Sequence, residues 1–176
     1  MDGKEIIPEM KIKAVCFDMG DTLVAEETVV HDSLGRSLTA DVIDGAFEVL
    51  EKLKKDGYKL ALIVNGDSVG TRNIIEDLGL QDRFEVIVIS GEEGIEKPDS
   101  RIFMLALDKL GVRPEDTVMV GNRIDTDIVG ANRLGITSVY FKWNNRYNDS
   151  ISSQEEKPAF VVDSLLKLPD ILSRLG

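Results

Sequence analysis

Four short stretches of this sequence hold residues whose types and spacing could do chemistry. The first, KAVCFDMGDTLV (Lys13 to Val24), runs apolar from Ala14 to Phe17 and ends on Asp18, with Gly20, Asp21 and Thr22 just beyond. The second closes an apolar run on Val64-Asn65-Gly66, and the third holds Lys97-Pro98. The fourth reads Gly121-Asn122, with Asp125 and Asp127 behind it. Singly, each has an ordinary reading. Asp18 suits a turn or a helix cap, Lys97 a solvated surface, Asp125 and Asp127 the first turn of a helix, and the two glycines tight turns. Together they describe a different chemistry. A carboxylate can attack phosphorus and carry it as an aspartyl-phosphate. A hard cation such as Mg²⁺ takes oxygen ligands, usually one or two carboxylates with phosphate and water. A lysine offsets the accumulated negative charge where it develops most.

These residues act together only if the chain brings them to one place. Apolar runs at IKAVCF, YKLALIV, FEVIVIS, DTVMV and TSVYF read as strands, and AFVV as a short sixth. Helical spacing is expected over Asp41 to Lys55, Ser68 to Leu78, Pro98 to Leu110, Asp125 to Leu134 and Ser164 to Leu175. Val24 to Ala40 is polar and reads as a loop or small hairpin. Strands alternating with helices of this length predict an α/β fold, a three-layer doubly wound parallel sheet. Ligands of such sheets bind beyond the carboxyl ends of the strands. Asp18, Asn65, Lys97, Asn122 and Asp127 all follow predicted strands at that rim. Trp143, Asn144, Arg146 and Tyr147 follow the fifth strand and are expected to border the same place.

Composition narrows the partners. The chain has 176 residues, 43% of them apolar, which is globular composition, and it reads as a single domain over residues 1–176. A net charge of −11 disfavours a nucleic-acid backbone or an anionic membrane as partner. A phosphorylated substrate would need local positive charge. The single cysteine, Cys16, excludes an internal disulfide. His31 is the one histidine and stands in a polar segment. The start MDGKEIIPEM lacks the basic-then-apolar pattern of an export signal, and no apolar run reaches membrane-spanning length. The expected setting is cytoplasmic.

FDMGDTLV, LALIVNG, EKPDSRIF and VGNRIDTDIVGANRLGI, in that order, resemble the four motifs of the haloacid dehalogenase superfamily. The closing AFVVDSLLKLPDIL resembles the last strand and helix of its phosphatase members, so the likeness runs from about residue 12 to the C-terminus. The resemblance implies a Rossmann-like core and Mg²⁺-dependent hydrolysis of a phosphomonoester. It makes Asp18 the nucleophile and a metal ligand, with Gly20 through its carbonyl, Asn122 and Asp127 as the other ligands. It makes Lys97 the catalytic lysine, and Asn65 and Gly66 phosphate-binding residues. Three positions depart from the pattern: Gly20 stands where the general acid and base is usual, Val64 where a phosphate-binding hydroxyl is usual, and Asn122 where an aspartate is usual. Asp21 is the candidate to stand in for the missing acid and base, and slow or weak hydrolysis is the expectation. Two other readings stay open: a binding or regulatory protein that has lost catalysis, and a metal-independent dehalogenase. The spacing between motifs leaves no room for a large cap, only for a small flap at residues 25–40. An uncapped site would admit a small molecule or a phosphorylated macromolecule, or be covered by a second copy of the chain.

Overall fold

A computed structural model describes residues 11–176; the acidic start that argued against an export signal lies outside them. Six strands form one sheet: β1 (Ala14–Phe17), β4 (Lys59–Val64), β5 (Val86–Ile89), β6 (Thr117–Gly121), β7 (Thr137–Phe141) and β8 (Phe160–Val162). Their order is β5-β4-β1-β6-β7-β8, with every neighbouring pair parallel. From β1 the chain builds outward through β4 to β5, then returns to lay β6 on the other side of β1. Strand order therefore reverses between β1 and β6, which opens a crevice beyond their carboxyl ends.

The strands read as unbroken apolar runs because both faces of the sheet are covered. Successive side chains point to opposite faces. Val15, Phe17, Leu60, Leu62, Val118 and Val120 join one core with helices α1 (Ala46–Lys55), α2 (Ser68–Asp77) and α6 (Leu168–Leu175). Ala14, Cys16, Ala61, Ile63 and Met119 join the other, under α4 (Ser100–Leu110) and α5 (Val129–Leu134). Burial pushes the Cys16 thiol up to about 12, so it packs as an inert apolar group.

Two departures from the expected helices have plain causes. The helix expected from Asp41 begins only at Ala46, because Val42 bridges Val24 and Gly45 takes a left-handed φ of 80°. Leu23 and Ile43, and Ala25 and Asp41, are joined by backbone hydrogen bonds of 2.8 and 2.9 Å, so the chain leaves and returns through a narrow neck. Between these ends lies a hairpin of β2 (Val30–His31) and β3 (Ser37–Thr39), which packs on α2. The helix expected from Asp125 opens instead with a wide π-helical turn, Ile124–Ile128, before α5. A short helix α3 (Ser90–Glu93) follows β5. Among the described residues, no helix is long and apolar enough to cross a membrane.

Candidate active site

Asp18 is the first residue past β1, and its N–H donates to the Val120 carbonyl of β6 at 3.0 Å, directly in the crevice. Lys97 reaches the same point from the loop after α3. The Asn65 amide, at the tip of β4, donates to the Lys97 carbonyl at 2.9 Å and accepts from the Lys97 N–H at 2.8 Å. The backbone so fixed aims the ammonium inward, where it donates to Asp18 Oδ1 at 2.8 Å and to Asp127 Oδ1 at 2.7 Å. The π turn folds Asp127 back over Gly121, so close that the glycine has no room for a Cβ. The Arg123 N–H donates to Asp127 Oδ2 at 3.1 Å.

Lys97 and Asp127 are 2% and 0% exposed, and Asp18 is 8% exposed. Burial alone would pull the Lys97 ammonium down, but Asp127 and Asp18 outweigh it and hold it above its ordinary value. Burial and the Asp18 charge push the Asp127 carboxyl up to about 6, against the pull of Lys97. One lysine side chain thus sits between two acids. Lys97 holds one oxygen of Asp18 in place while Oδ2 faces the other way.

That second oxygen meets the groups that could hold a cation. With the Asn122 amide turned so that its nitrogen faces inward, it donates to Asp18 Oδ2 at 3.0 Å and to the Gly20 carbonyl at 3.1 Å. The Thr22 hydroxyl lies 3.3 Å from Asp18 Oδ2. A carboxylate oxygen, a carbonyl and an amide therefore converge on one point, and turning the amide oxygen inward makes the set all-oxygen. This fits a Mg²⁺ ion that keeps several waters. Among the described residues, no cluster of three or more His, Cys, Asp or Glu side chains offers a fully charged cage. Asp127 does not belong to this set. Its oxygens are engaged by Lys97 and the Arg123 N–H, on the far side of Lys97 from the expected metal ligands Asp18, Gly20 and Asn122.

A cavity of about 270 Å³ opens over Asp18, lined among others by Val64, Asn65, Gly66, Lys97, Arg123 and Tyr147. Asn65 and Gly66, the expected phosphate-binding residues, both line it. The Asn65 side chain is committed to Lys97, and the Gly66 N–H donates to Ser90 Oγ at 3.0 Å. Where Val64 offers no hydroxyl, Thr71 of α2 brings one to the same wall. Lys97 and Arg123 are the basic residues on this wall.

Asp21 is not in the cavity. It takes a left-handed φ of 50°, which aspartate tolerates better than most residues. This turn sends its fully buried carboxylate to the opposite side, where Oδ1 accepts from the Glu26 N–H at 2.9 Å and Oδ2 from Arg146 Nε. Asp21, expected to stand in for the missing acid and base, is thus buried and bonded to Glu26 and Arg146. The loop after β7 serves this turn. Trp143 stacks on Phe141 and donates from Nε1 to the Asp21 carbonyl at 2.7 Å, and Arg146 also faces Glu26 and Glu27. Of the four residues expected at the border, Tyr147 alone is on the cavity wall. Its hydroxyl donates to Glu26 Oε2 at 2.6 Å, and its ring lies under the Arg123 guanidinium.

Glu26 is the wall residue that sequence reasoning missed. A Cβ placed on Gly20 would lie 2.5 Å from Glu26 Oε1, with Cγ and Cδ at 3.0 and 3.1 Å. The glutamate carboxyl thus fills the space that a side chain at position 20 would use. Burial raises its pKa, the Tyr147 hydrogen bond lowers it, and the nearby Asp21 and Asp18 charges leave it raised overall.

A family model described as haloacid dehalogenase-like hydrolase matches residues 27–141. A glyceraldehyde 3-phosphate phosphatase of Methanopyrus kandleri is 36% identical over 96% of this chain and 72% of its own length. The enzyme of that name from Pyrococcus furiosus is 36% identical over 75% of this chain, which spans 55% of that relative. The crystal structure of a HAD phosphatase from Thermococcus onnurineus superposes with a TM-score of 0.77 at 23% identity, over 92% of this chain and 98% of that one. The chain belongs to the haloacid dehalogenase-like hydrolase family. Its doubly wound sheet is the fold of that family, and the named curated relatives are phosphatases.

Proposed function

We propose that this chain hydrolyses phosphomonoesters through an aspartyl-phosphate on Asp18. The observation that carries the reading is the buried Lys97 ammonium, 2.8 Å from one Asp18 oxygen and 2.7 Å from Asp127. A lysine so placed fixes Asp18 in direction, as an attacking carboxylate requires. It also offers positive charge to the equatorial oxygens as the phosphoryl group transfers. Arg123 extends that charge along the cavity wall.

Mg²⁺, when bound, would neutralise charge between the phosphoryl group and Asp18, and Asp18, the Gly20 carbonyl and Asn122 are the groups suited to hold it. A single carboxylate among them implies weak binding. The cavity, at about 270 Å³, is smaller than the roughly 300–1,000 Å³ that holds a drug-sized ligand. It suits a phosphoryl group with a short carbon chain, and the curated relatives named for glyceraldehyde 3-phosphate support that class of substrate. The segment at residues 25–40 would act as the flap over it, since Glu26, Val29 and Ser37 already form part of the wall.

The test is release of phosphate from p-nitrophenyl phosphate and from short-chain sugar and polyol phosphates, with and without Mg²⁺. Turnover that needs Mg²⁺ and disappears in Asp18→Asn supports the reading. Turnover unaffected by Asp18→Asn excludes it.

A further inference from the structure

The structure assigns to Glu26 the proton transfers that the residue at position 20 cannot make. The inference rests on the aspartyl-phosphate reading above and names the group that completes it. Gly20 has no side chain, yet the volume beside it is not empty: Glu26 Oε1 lies where a Cβ there would be crowded to 2.5 Å. The two carboxylate oxygens of Glu26 have different duties. Oε2 accepts the Tyr147 hydroxyl at 2.6 Å and faces Arg146 Nε at 3.8 Å, so it is anchored. Oε1 lies on the Gly20 side, and Glu26 and Gly20 both line the cavity that Asp18 lines.

The route by which Glu26 gets there is built into the fold. The neck at Leu23–Ala25 and Asp41–Ile43 starts the excursion, and the Glu26 N–H is pinned to Asp21 Oδ1 at 2.9 Å. Arg146 pairs with Asp21, while Tyr147, the next residue, grips Glu26. Asp21, Arg146 and Tyr147 are therefore positioning residues that act through Glu26. This is also why the buried acid beside Gly20 points away from the cavity: it holds the backbone of the acid that points in.

The proton balance closes with groups already present. In the first step Asp18 attacks phosphorus, the ester P–O bond breaks, and protonated Glu26 gives its proton to the departing alkoxide oxygen. In the second step water attacks the phosphorus of the aspartyl-phosphate. Glu26, now a carboxylate, takes one water proton, and the acyl phosphate bond breaks to regenerate the Asp18 carboxylate and release inorganic phosphate. One glutamate serves both steps and ends in its starting form.

The experiment compares the wild-type chain with Glu26→Gln, which keeps the shape of the side chain and a carbonyl oxygen for Tyr147. Both are given p-nitrophenyl phosphate and an alkyl phosphate of poor leaving group. Glu26→Gln is expected to show a burst of nitrophenolate equal to the enzyme present, then a steady rate lower by about 10²–10⁴. Hydrolysis of the alkyl phosphate should fall further than that of the aryl ester. A second variant keeps the claim open to refutation on other grounds. Gly20→Asp alone would collide with Glu26, whereas Gly20→Asp combined with Glu26→Ala should regain at least about tenfold over Glu26→Ala, since it supplies an acid to the same space. Full wild-type turnover in Glu26→Gln, with no burst, overturns the role of Glu26 and leaves Asp18 chemistry standing. A wild-type chain that neither turns over nor takes up phosphate at Asp18 overturns both.

Discussion

Lys97 Nζ lies 2.7 Å from Asp127 Oδ1, and the side chains of this pair are 2% and 1% exposed. A buried ion pair adds little net stability, but removing one partner leaves an uncompensated charge, at a cost of about 3–5 kcal/mol. Lys97→Met strands two carboxylates, Asp18 and Asp127, and is expected to lose stability of that order together with all hydrolysis. The pH dependence follows from the raised Lys97 value. Its contribution is complete below the ordinary 10.5 and is lost only as pH climbs through the higher folded value. Urea unfolding at pH 7 and pH 11 measures both. An equal wild-type advantage over Lys97→Met at the two pH values would contradict this.

Asp21 and Arg146 form the second buried acid pairing, and here the expectation is structural. Asp21→Asn should lower the melting temperature while changing kcat far less than the 10²–10⁴ of a lost acid-base group. Arg146→Ala should likewise destabilise the loop after β7 and raise KM little, because Arg146 is absent from the cavity wall. Paired melting curves and steady-state kinetics check it. A collapse of kcat in Asp21→Asn that Glu26→Gln does not share, with folding intact, would give the acid-base role to Asp21.

Asn122 bridges Asp18 Oδ2 and the Gly20 carbonyl through its amide. Asn122→Asp replaces a neutral bridge with a second carboxylate, so the metal-free fold should lose stability while Mg²⁺ binds about tenfold tighter or better, a gain near 1.4 kcal/mol. Isothermal calorimetry reads the affinity, and melting with and without Mg²⁺ reads the compensation. Unchanged affinity would remove Asn122 from the metal set.

Most of the fold was legible because its strands are buried on both faces. Runs such as Leu60 to Val64 stay apolar throughout, and glycine closes α4 and α5 at Gly111 and Gly135. Asp18 stands directly after β1, where the order reverses, while Lys97 lies farther on, beyond edge strand β5 and α3. What escaped was set by contacts distant in sequence. The start of α1 was misplaced because Val42 pairs with Val24 across the neck rather than continuing a helix. The four residues of α3 are too few to show a period. The direction of the Asp21 side chain escaped because nothing local announces its positive φ. Glu26 carried only one trace, an acid six residues after a glycine that stands in an acid's place. Its meaning depends on Tyr147, more than a hundred residues away.

The central claim is that Asp18 carries the phosphoryl group, and rapid acid quench with radiolabelled substrate tests it most directly. Wild-type chain should yield an acid-stable, base-labile label that peptide mapping places on Asp18. The label should rise towards one per chain in Glu26→Gln, where breakdown is slowed, and vanish in Asp18→Asn. Hydrolysis that proceeds in the wild type with no label at any time point, or a label that persists in Asp18→Asn, would contradict the account.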